Sequence, residues 1–287
     1  MKILIIQENG RHEANRNYRE CFCFERAFKR LQINDVTVWG LGHDNYESKP
    51  DYNSFDLIIN LENYDETGWL SETQEQVAKS DAFKMLWSID AHCRGEELYE
   101  QYFKEGNYNI LLHSTKDFVK KPYHRWLPNC YDDTLIKSLW EEKKYFLGFC
   151  GNESPTRTPI LNYFEKLLKN NFKKDIFVIG DEMVKAINSY MIHFNINVGN
   201  DINYRSFETI GCGTILLTND NYQYKELGFV NGYNYISYNS LDEIPNILEY
   251  YSKKGEDLDS IAQKANVLAR KHTYVDRVKM ILDFYNE

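Results

Sequence analysis

Short β-branched or aromatic runs alternate with longer amphipathic stretches along the whole chain, and that rhythm admits few architectures. Runs at Ile3–Ile6, Val36–Trp39, Asp56–Asn60, Lys84–Ile89 and Tyr108–Leu112 read as strands, with helical patterns at Asn17–Leu31, Glu72–Ser80 and Glu96–Lys104 between them. Strands that alternate with helices pair in parallel through right-handed crossovers, which predicts a doubly wound α/β sheet. A second series repeats the pattern. Its strands fall at Tyr145–Cys150, Ile176–Ile179, Ile192–Val198, Thr214–Thr218 and Tyr235–Tyr238, and its helices near Pro159–Asn170, Met183–Tyr190, Tyr204–Ile210 and Leu241–Ser252. The polar stretch from Tyr131 to Lys144 reads as the linker region. Two doubly wound domains are therefore expected, residues 1–130 and 131–287, facing across a cleft, with the last helix able to cross back to the first domain. The length of 287 residues suits that division.

Composition narrows the function classes. A hydrophobic share of 43% is enough for real cores and excludes a disordered chain. The formal net charge of −9 argues against a broad nucleic-acid-coating surface, since phosphate binding rests on clustered Lys and Arg. It leaves room for local basic sites. Arg11, Arg16 and Arg19 form one such group and Lys116, Lys120, Lys121 and Arg125 another, although each residue also reads as part of a solvated face with acidic partners. The six cysteines show neither a disulfide framework nor paired zinc spacing, and Cys21 and Cys23 do not share a helix face. Reduced thiols, an N-terminal apolar run too short for a signal peptide and no span of ~20 apolar residues make the cytoplasm the expected location.

In doubly wound sheets ligands bind beyond the carboxyl ends of the strands. That points to the loops Gln7–Asn15, Asn60–Gly68, Asp90–Gly95, Cys150–Arg157, Gly180–Met183 and Gly199–Arg205. The most informative segment runs from Asn197 to Thr218: a polar loop, a short helix with Arg205 and Glu208, then Gly211-Cys-Gly213 turning into an apolar strand. Arg205 and Glu208 stand three apart and share a helix face. A cation there can meet a diphosphate, a carboxylate can hold ribose hydroxyls, and the helix N-terminus adds anion-binding N–H groups. The plainer reading stands beside it: the two residues pair with each other and the glycines cap the helix.

Asn200-Asp201-Ile-Asn203, Arg205-Ser-Phe207-Glu208, Gly211-Cys-Gly213 and the strand Thr214–Thr218 occur in the order seen in the donor-binding region of the two-domain group 1 glycosyltransferases. The segment resembles that family, especially its branch related to the spore-maturation protein CgeB. Gly148-Phe149-Cys-Gly151-Asn152 with Arg157, Glu226-Leu-Gly-Phe229, and His272-Thr273-Tyr274 with Arg277 extend the resemblance over most of residues 145–287. Trp87-Ser-Ile-Asp90-Ala-His92 and Trp126-Leu-Pro128 carry it more weakly in the first half. The resemblance implies the GT-B arrangement of two Rossmann-like domains and a nucleotide-diphosphate sugar, UDP-linked, as co-substrate, with no metal and no further cofactor. One departure concerns the sugar: the wider family often carries a second glutamate eight positions before Glu208, where this chain has Asn200. The sugar-holding role then passes to Asn200 or Asp201, or is absent.

Transfer builds negative charge on the departing diphosphate, and fixed cations aimed at that charge help most. Arg205 leads for this task, followed by Arg157 with the Gly151-Asn152 turn, then Lys185, while Glu208 fixes the ribose and Asn203 belongs to the donor loop. A base for the acceptor hydroxyl is expected from the first half, where Asp90 and His92 follow a strand and Glu8, Asn9, His12 and Glu62 are reserves. Asp90 as the cap of the next helix and His92 as an ordinary loop residue are the plain alternatives. Glu8, Asn9, Gly10, Arg11 and His12 form the expected acceptor side. The acceptor named first is DNA bearing hydroxymethylated pyrimidines, because viral enzymes that glycosylate such bases are similar in size and layout and the basic groups would suit a phosphate-lined groove. A polysaccharide, a protein or a small molecule remain alternatives, as does a non-catalytic nucleotide-sugar binder. A nicotinamide enzyme is disfavoured because Asn9-Gly10-Arg11 supplies only one glycine after the first strand. The Asp257-Leu-Asp259 pair opens a predicted helix, where carboxylates favour the helix dipole, and is not read as a metal site.

Overall fold

Six parallel strands make the first sheet: β1 (Ile3–Ile6), β2 (Val36–Trp39), β3 (Leu57–Asn60), β4 (Phe83–Ser88), β5 (Ile110–His113) and β6 (His124–Trp126), in the order β2-β1-β3-β4-β5-β6. Every residue of β1 is fully buried, as expected of a parallel strand covered on both faces. The helices between the strands are α1 (Glu20–Arg30), α2 (Trp69–Ala78), α3 (Ala91–Arg94) and α4 (Glu96–Glu105). Leu4, Ile6, Ile58, Trp69, Leu86 and Leu111 form part of one continuous core.

The second sheet runs β11-β10-β9-β7-β8, again all parallel. Its strands are β7 (Tyr145–Gly151), β8 (Phe172–Ile176), β9 (Tyr190–Phe194), β10 (Ile215–Asn219) and β11 (Ile236–Tyr238). Helices α5 (Thr158–Leu168), α6 (Gly180–Ser189), α7 (Tyr204–Gly211) and α8 (Tyr222–Glu226) connect them, and α9 (Ile244–Ser252) and α10 (Gly255–Ala269) follow. The strand order reverses at the β7–β9 pair, because the chain steps outward to β8 and then returns to the other side of β7. A topological switch of this kind splays the two following loops apart and opens a crevice at the carboxyl edge.

The computed structural model describes residues 1–63, 67–139 and 141–287. It divides the chain into two units, Met1–Asn129 with Tyr274–Glu287, and Cys130–Thr273. Part of the expected binding loop at 60–68 (residues 64–66) and residue 140 of the expected linker lie outside the described residues. The final helix, α11 (Tyr274–Asn286), packs on α1 within the first unit, where the Tyr274 ring meets Phe24 edge-on at 4.9 Å. Buried Arg277 donates to the carbonyls of Pro128 (2.6 Å) and Asn129 (2.9 Å).

The expected strand at 176–179 is displaced. The edge strand is Phe172–Ile176, and Phe177, at φ +57°, ends it. An edge strand tolerates charge, so Lys173, Lys174 and Asp175 occupy a position that apolar patterning assigned elsewhere. The expected strand 192–198 likewise stops at Phe194: the Asn195 N–H still bonds to the Leu217 carbonyl (2.8 Å), but the Asn197 N–H turns to the Asn219 side chain (2.8 Å). The segment read as a polar linker is packed into the second unit: Tyr131, Asp132 and Ile136 are all buried, and Tyr131 bridges Thr273.

Candidate functional site

In the second unit the residues of interest gather at the β7–β9 switch. β7 ends at Gly151, and Asn152 opens the loop that leads to Arg157 at the start of α5. Arg157 donates to the carbonyl of Asn152 (3.1 Å) and, across the switch, to that of Ile196 beyond β9 (3.3 Å). It forms no ion pair with a described carboxylate. Burial first, and the nearby Arg205 charge second, lower its pKa from the usual value. A guanidinium does not give up its proton at ordinary pH, so such crowding is relieved by an anion.

Arg205 and Glu208 lie on the partly buried face of α7 and pair at 2.8 Å through Nη1 and Oε2, while Arg205 also touches the Met183 sulfur. Phe207, one residue away on the opposite face, is fully buried against Phe229 and His272. The helix closes on Gly213, whose φ of +66° favours glycine, with the Thr214 N–H bonded to the Thr209 carbonyl. The pair and the cap of the plainer reading are thus both present. They leave an arginine with further N–H donors beside Arg157.

The loop before α7 is held by a buried amide network. Asn195 Nδ2 donates to Asn197 Oδ1 (3.1 Å) and Asn203 Oδ1 (3.3 Å), and Asn197 Nδ2 donates to the Tyr224 hydroxyl (2.8 Å). Asn200 is exposed, and its carbonyl accepts from Asn221 and Gln223, both at 2.7 Å. Asp201 is buried next to it. Asn203 therefore braces the loop. Lys185 sits apart from this group: it pairs with Glu182 (2.7 Å) on the exposed side of α6.

Sequence reasoning passed over His193. It is fully buried on β9 and its Nε2 accepts the Cys150 N–H (3.1 Å), while Nδ1 lies 2.6 Å from Thr209 Oγ1. Burial, then the Arg205 charge, hold its pKa well below the usual value, so it is neutral. With Nε2 accepting, Nδ1 carries the proton. A lone polar residue inside the apolar run Ile192-His193-Phe194 was the available signal.

In the first unit Glu62 is an anchor. Its Oε2 accepts from the N–H groups of Ile89 and Asp90, each at 2.7 Å, and its Oε1 from Arg94 at 3.2 Å. That leaves Asp90 beside a fixed negative charge. Burial first, and Glu62 second, raise its pKa to about 6. Asp90 stands at the N-cap of α3, yet its side chain makes no capping bond. His92, two residues on, has a buried Nδ1 without a hydrogen-bond partner.

Glu8, Asn9, Gly10, Arg11 and His12 line one cavity of about 180 Å³ with Asn15 and Arg19. Arg19 is neutralised there by Glu8 (2.7 Å) and Glu20 (3.6 Å). The second basic group is engaged as well: Lys120 with Glu96 (2.6 Å), Lys121 with Glu100 (2.8 Å) and Arg125 with Glu287 (2.6 Å). Lys116 lies over the Trp126 ring. Among the described residues no group of three or more His, Cys, Asp or Glu is placed to hold a metal ion, and no helix is long and apolar enough to cross a membrane. None of the six cysteines forms a disulfide. Asp257 and Asp259 lie in the opening turns of α10.

Two mostly parallel, doubly wound units define a fold of the GT-B type, and solved structures share it over the whole chain. Anabaena Alr3699/HepE in complex with UDP-glucose superposes with a TM-score of 0.68 at 14% identity, covering 100% of this chain and 99% of that one. A glycosyltransferase of Rickettsia africae gives 0.67 at 9% identity over 99% and 98%. The DNA-modifying enzyme β-glucosyltransferase, studied with and without its substrate uridine diphosphoglucose, gives 0.65 at 15% identity over 100% of both. Identities this low establish likeness of fold. No curated protein matches the chain. The family model described as glycosyl transferase-like matches residues 134–283, just over half the chain, and the protein belongs to that family.

Proposed function

We propose that the protein transfers a sugar from a UDP-linked donor to an acceptor hydroxyl, with the donor diphosphate held at the β7–β9 switch. The observation that carries this reading is Arg157. It joins the two loops of the switch through their carbonyls, has no described carboxylate as counter-charge, and bears the added repulsion of Arg205. A diphosphate supplies the missing anion. The Gly151-Asn152 turn lets phosphate oxygens approach, Arg205 meets charge as it builds on the leaving group, and Glu208 takes the ribose hydroxyls. Asn200 or Asp201 faces the sugar. The acceptor oxygen bonds to the anomeric carbon as the bond to the diphosphate breaks, and Asp90 takes the acceptor's proton, with His92 alongside. The UDP preference rests on the ligands of the Anabaena protein and of the DNA β-glucosyltransferase. The motif order at 200–213 supports placement near the CgeB-like branch. No metal takes part in this scheme, and the cytoplasm, where nucleotide sugars are made, is its setting.

The test is thermal stabilisation by a panel of nucleoside diphosphates. A ligand at about 100 times its Kd adds roughly 2.7 kcal/mol to the native chain. Arg157→Ala should weaken binding by about 10- to 100-fold, the scale of a lost charge-assisted hydrogen bond, and Glu208→Ala should remove the preference for a ribose. No response to any diphosphate would overturn the donor site.

For the acceptor, DNA with hydroxymethylated pyrimidines is one reading, through likeness to the DNA-modifying enzyme and the cavity at Glu8–His12. The ion pairs at Lys120, Lys121 and Arg125 favour the second, a carbohydrate or small-molecule acceptor, because those cations are already matched by carboxylates. Binding to modified duplex DNA that falls steeply with salt selects the first. No affinity at low salt selects the second.

A further inference from the structure

Beyond the groups that would touch the donor lies a buried relay joining the two halves of the proposed diphosphate site. It begins at the end of β7, where the Cys150 N–H, one residue before Gly151, donates to His193 Nε2 at 3.1 Å. The protonated Nδ1 of the same ring donates to Thr209 Oγ1 at 2.6 Å, and Thr209 in turn donates to the carbonyl of Arg205 at 2.5 Å. His193 and Thr209 are both fully buried. The relay therefore runs from the strand end that aims the Gly151-Asn152 turn, through one imidazole, to the backbone of the residue that carries the guanidinium.

Each link has one direction. Nε2 must accept, because the backbone nitrogen can only donate, so the ring's proton is fixed on Nδ1. Thr209 receives that proton's bond and sends its own hydroxyl to Arg205. Ser and Thr inside a helix often bond back to the carbonyl four residues earlier, a contact that slightly destabilises the helix. Here the back-bond also completes a path to the neighbouring strand. An arginine is only as well placed as the backbone beneath it, and displacements of about an ångström are costly in a site built on positioned charge.

We infer that His193 and Thr209 are positioning residues that set α7, and with it Arg205, against the end of β7 so that both close on a nucleoside diphosphate. This rests on the donor reading above. It predicts that the relay acts more strongly on the diphosphate, held between the β7 end and Arg205, than on the nucleoside, which meets α7 through Glu208 alone.

Thr209→Val keeps the shape of the side chain and removes the hydroxyl; Thr209→Ser keeps the hydroxyl. Affinities for UDP and for uridine are measured by ligand-detected NMR on the full chain, with melting temperature recorded in parallel. The expected result is a loss of about 10-fold in UDP affinity for Thr209→Val, a loss of no more than about threefold for uridine, which meets α7 through Glu208 alone, and recovery to within about twofold in Thr209→Ser. His193→Gln, whose Oε1 can accept from Cys150 but which lacks the Nδ1 link, should match Thr209→Val and stands in should that variant not fold. Equal loss of UDP and uridine affinity would mean a general structural role and overturn the inference, as would unaltered UDP binding in both variants. Should the native chain bind UDP no better than uridine, the donor reading itself fails and the positioning role with it, a result visible before any variant is compared.

Discussion

Asp90 combines features that pull stability and activity in opposite directions. Its carboxyl is raised to about 6 by burial and by Glu62, which is itself fixed by two backbone N–H groups and Arg94. A carboxylate near this value is mostly ionised at pH 7 yet basic enough to take a hydroxyl proton in a transition state. If it does so, kcat/KM should fall about tenfold per pH unit below about 6, and Asp90→Asn should cost about 10²- to 10⁴-fold in rate. The stability effect has the other sign. A group whose folded pKa lies above its unfolded value holds its proton longer in the native state, so ionising it opposes folding, and that cost develops as pH rises from about 4 through about 6. Asp90→Asn removes it. The variant should therefore be more stable at pH 7, on the order of 1–2 kcal/mol once solvent screening is allowed for, and the gain should fade toward pH 4. Melting curves at pH 4.5 and 7 beside a pH–rate profile check both halves. A variant that is inactive and no more stable would break the link between burial and function drawn here.

At the scale of elements, β7 shows how a sequence motif can be right for a reason its pattern does not state. The glycines of Gly148-Phe149-Cys-Gly151 were read as the opening of a donor-binding domain. Gly148 has a further role in packing: a Cβ there would lie 2.1 Å from the Tyr190 ring, which covers the strand from β9. Gly148→Ala must displace that ring and should cost about 3 kcal/mol, the upper range of overpacking in a tight core, seen as a lower denaturation midpoint with an unchanged slope. The alternation of strands and helices, the two doubly wound units and the helix carrying Arg205 and Glu208 were legible because buried parallel strands are continuous apolar runs. The edge strand Phe172–Ile176 was not, since exposed Lys173 and half-buried Lys174 carry no such signal. Nor was β6, whose three residues His124–Trp126 are too short and mixed to show a period. In the candidate site Arg157, Arg205 and Glu208 could be named as candidates because their charges follow a known order. His193, Thr209, Asn195 and Arg94 could not, because they bond to partners 16 to 43 residues away that only folding brings near.

For the whole molecule, the chain's course assigns the stability of the first unit partly to its last 14 residues, Tyr274–Glu287. α11 buries Tyr274, Val278 and Ile281, sets the Tyr285 ring edge-on to Phe83 at 5.3 Å, and inserts Arg277 under the carbonyls of Pro128 and Asn129. Those two carbonyls end the first unit's main segment, so one buried guanidinium joins its final residues to its returning helix. Arg277→Ala would take this donor from two buried carbonyls, a cost of about 2–4 kcal/mol at about 1–3 kcal/mol for each unsatisfied group. The loss should be local. Hydrogen exchange should quicken in α1, α11 and the strands of the first sheet, while amides of β7, β9 and α7 keep their native protection. A nucleoside diphosphate should slow exchange in α7 and the 195–203 loop of this variant as it does in the native chain, since every group proposed to hold the diphosphate lies within Cys130–Thr273. Loss of that protection in Arg277→Ala would show instead that the donor site depends on the first unit for its order, and that the two units share one cooperative fold.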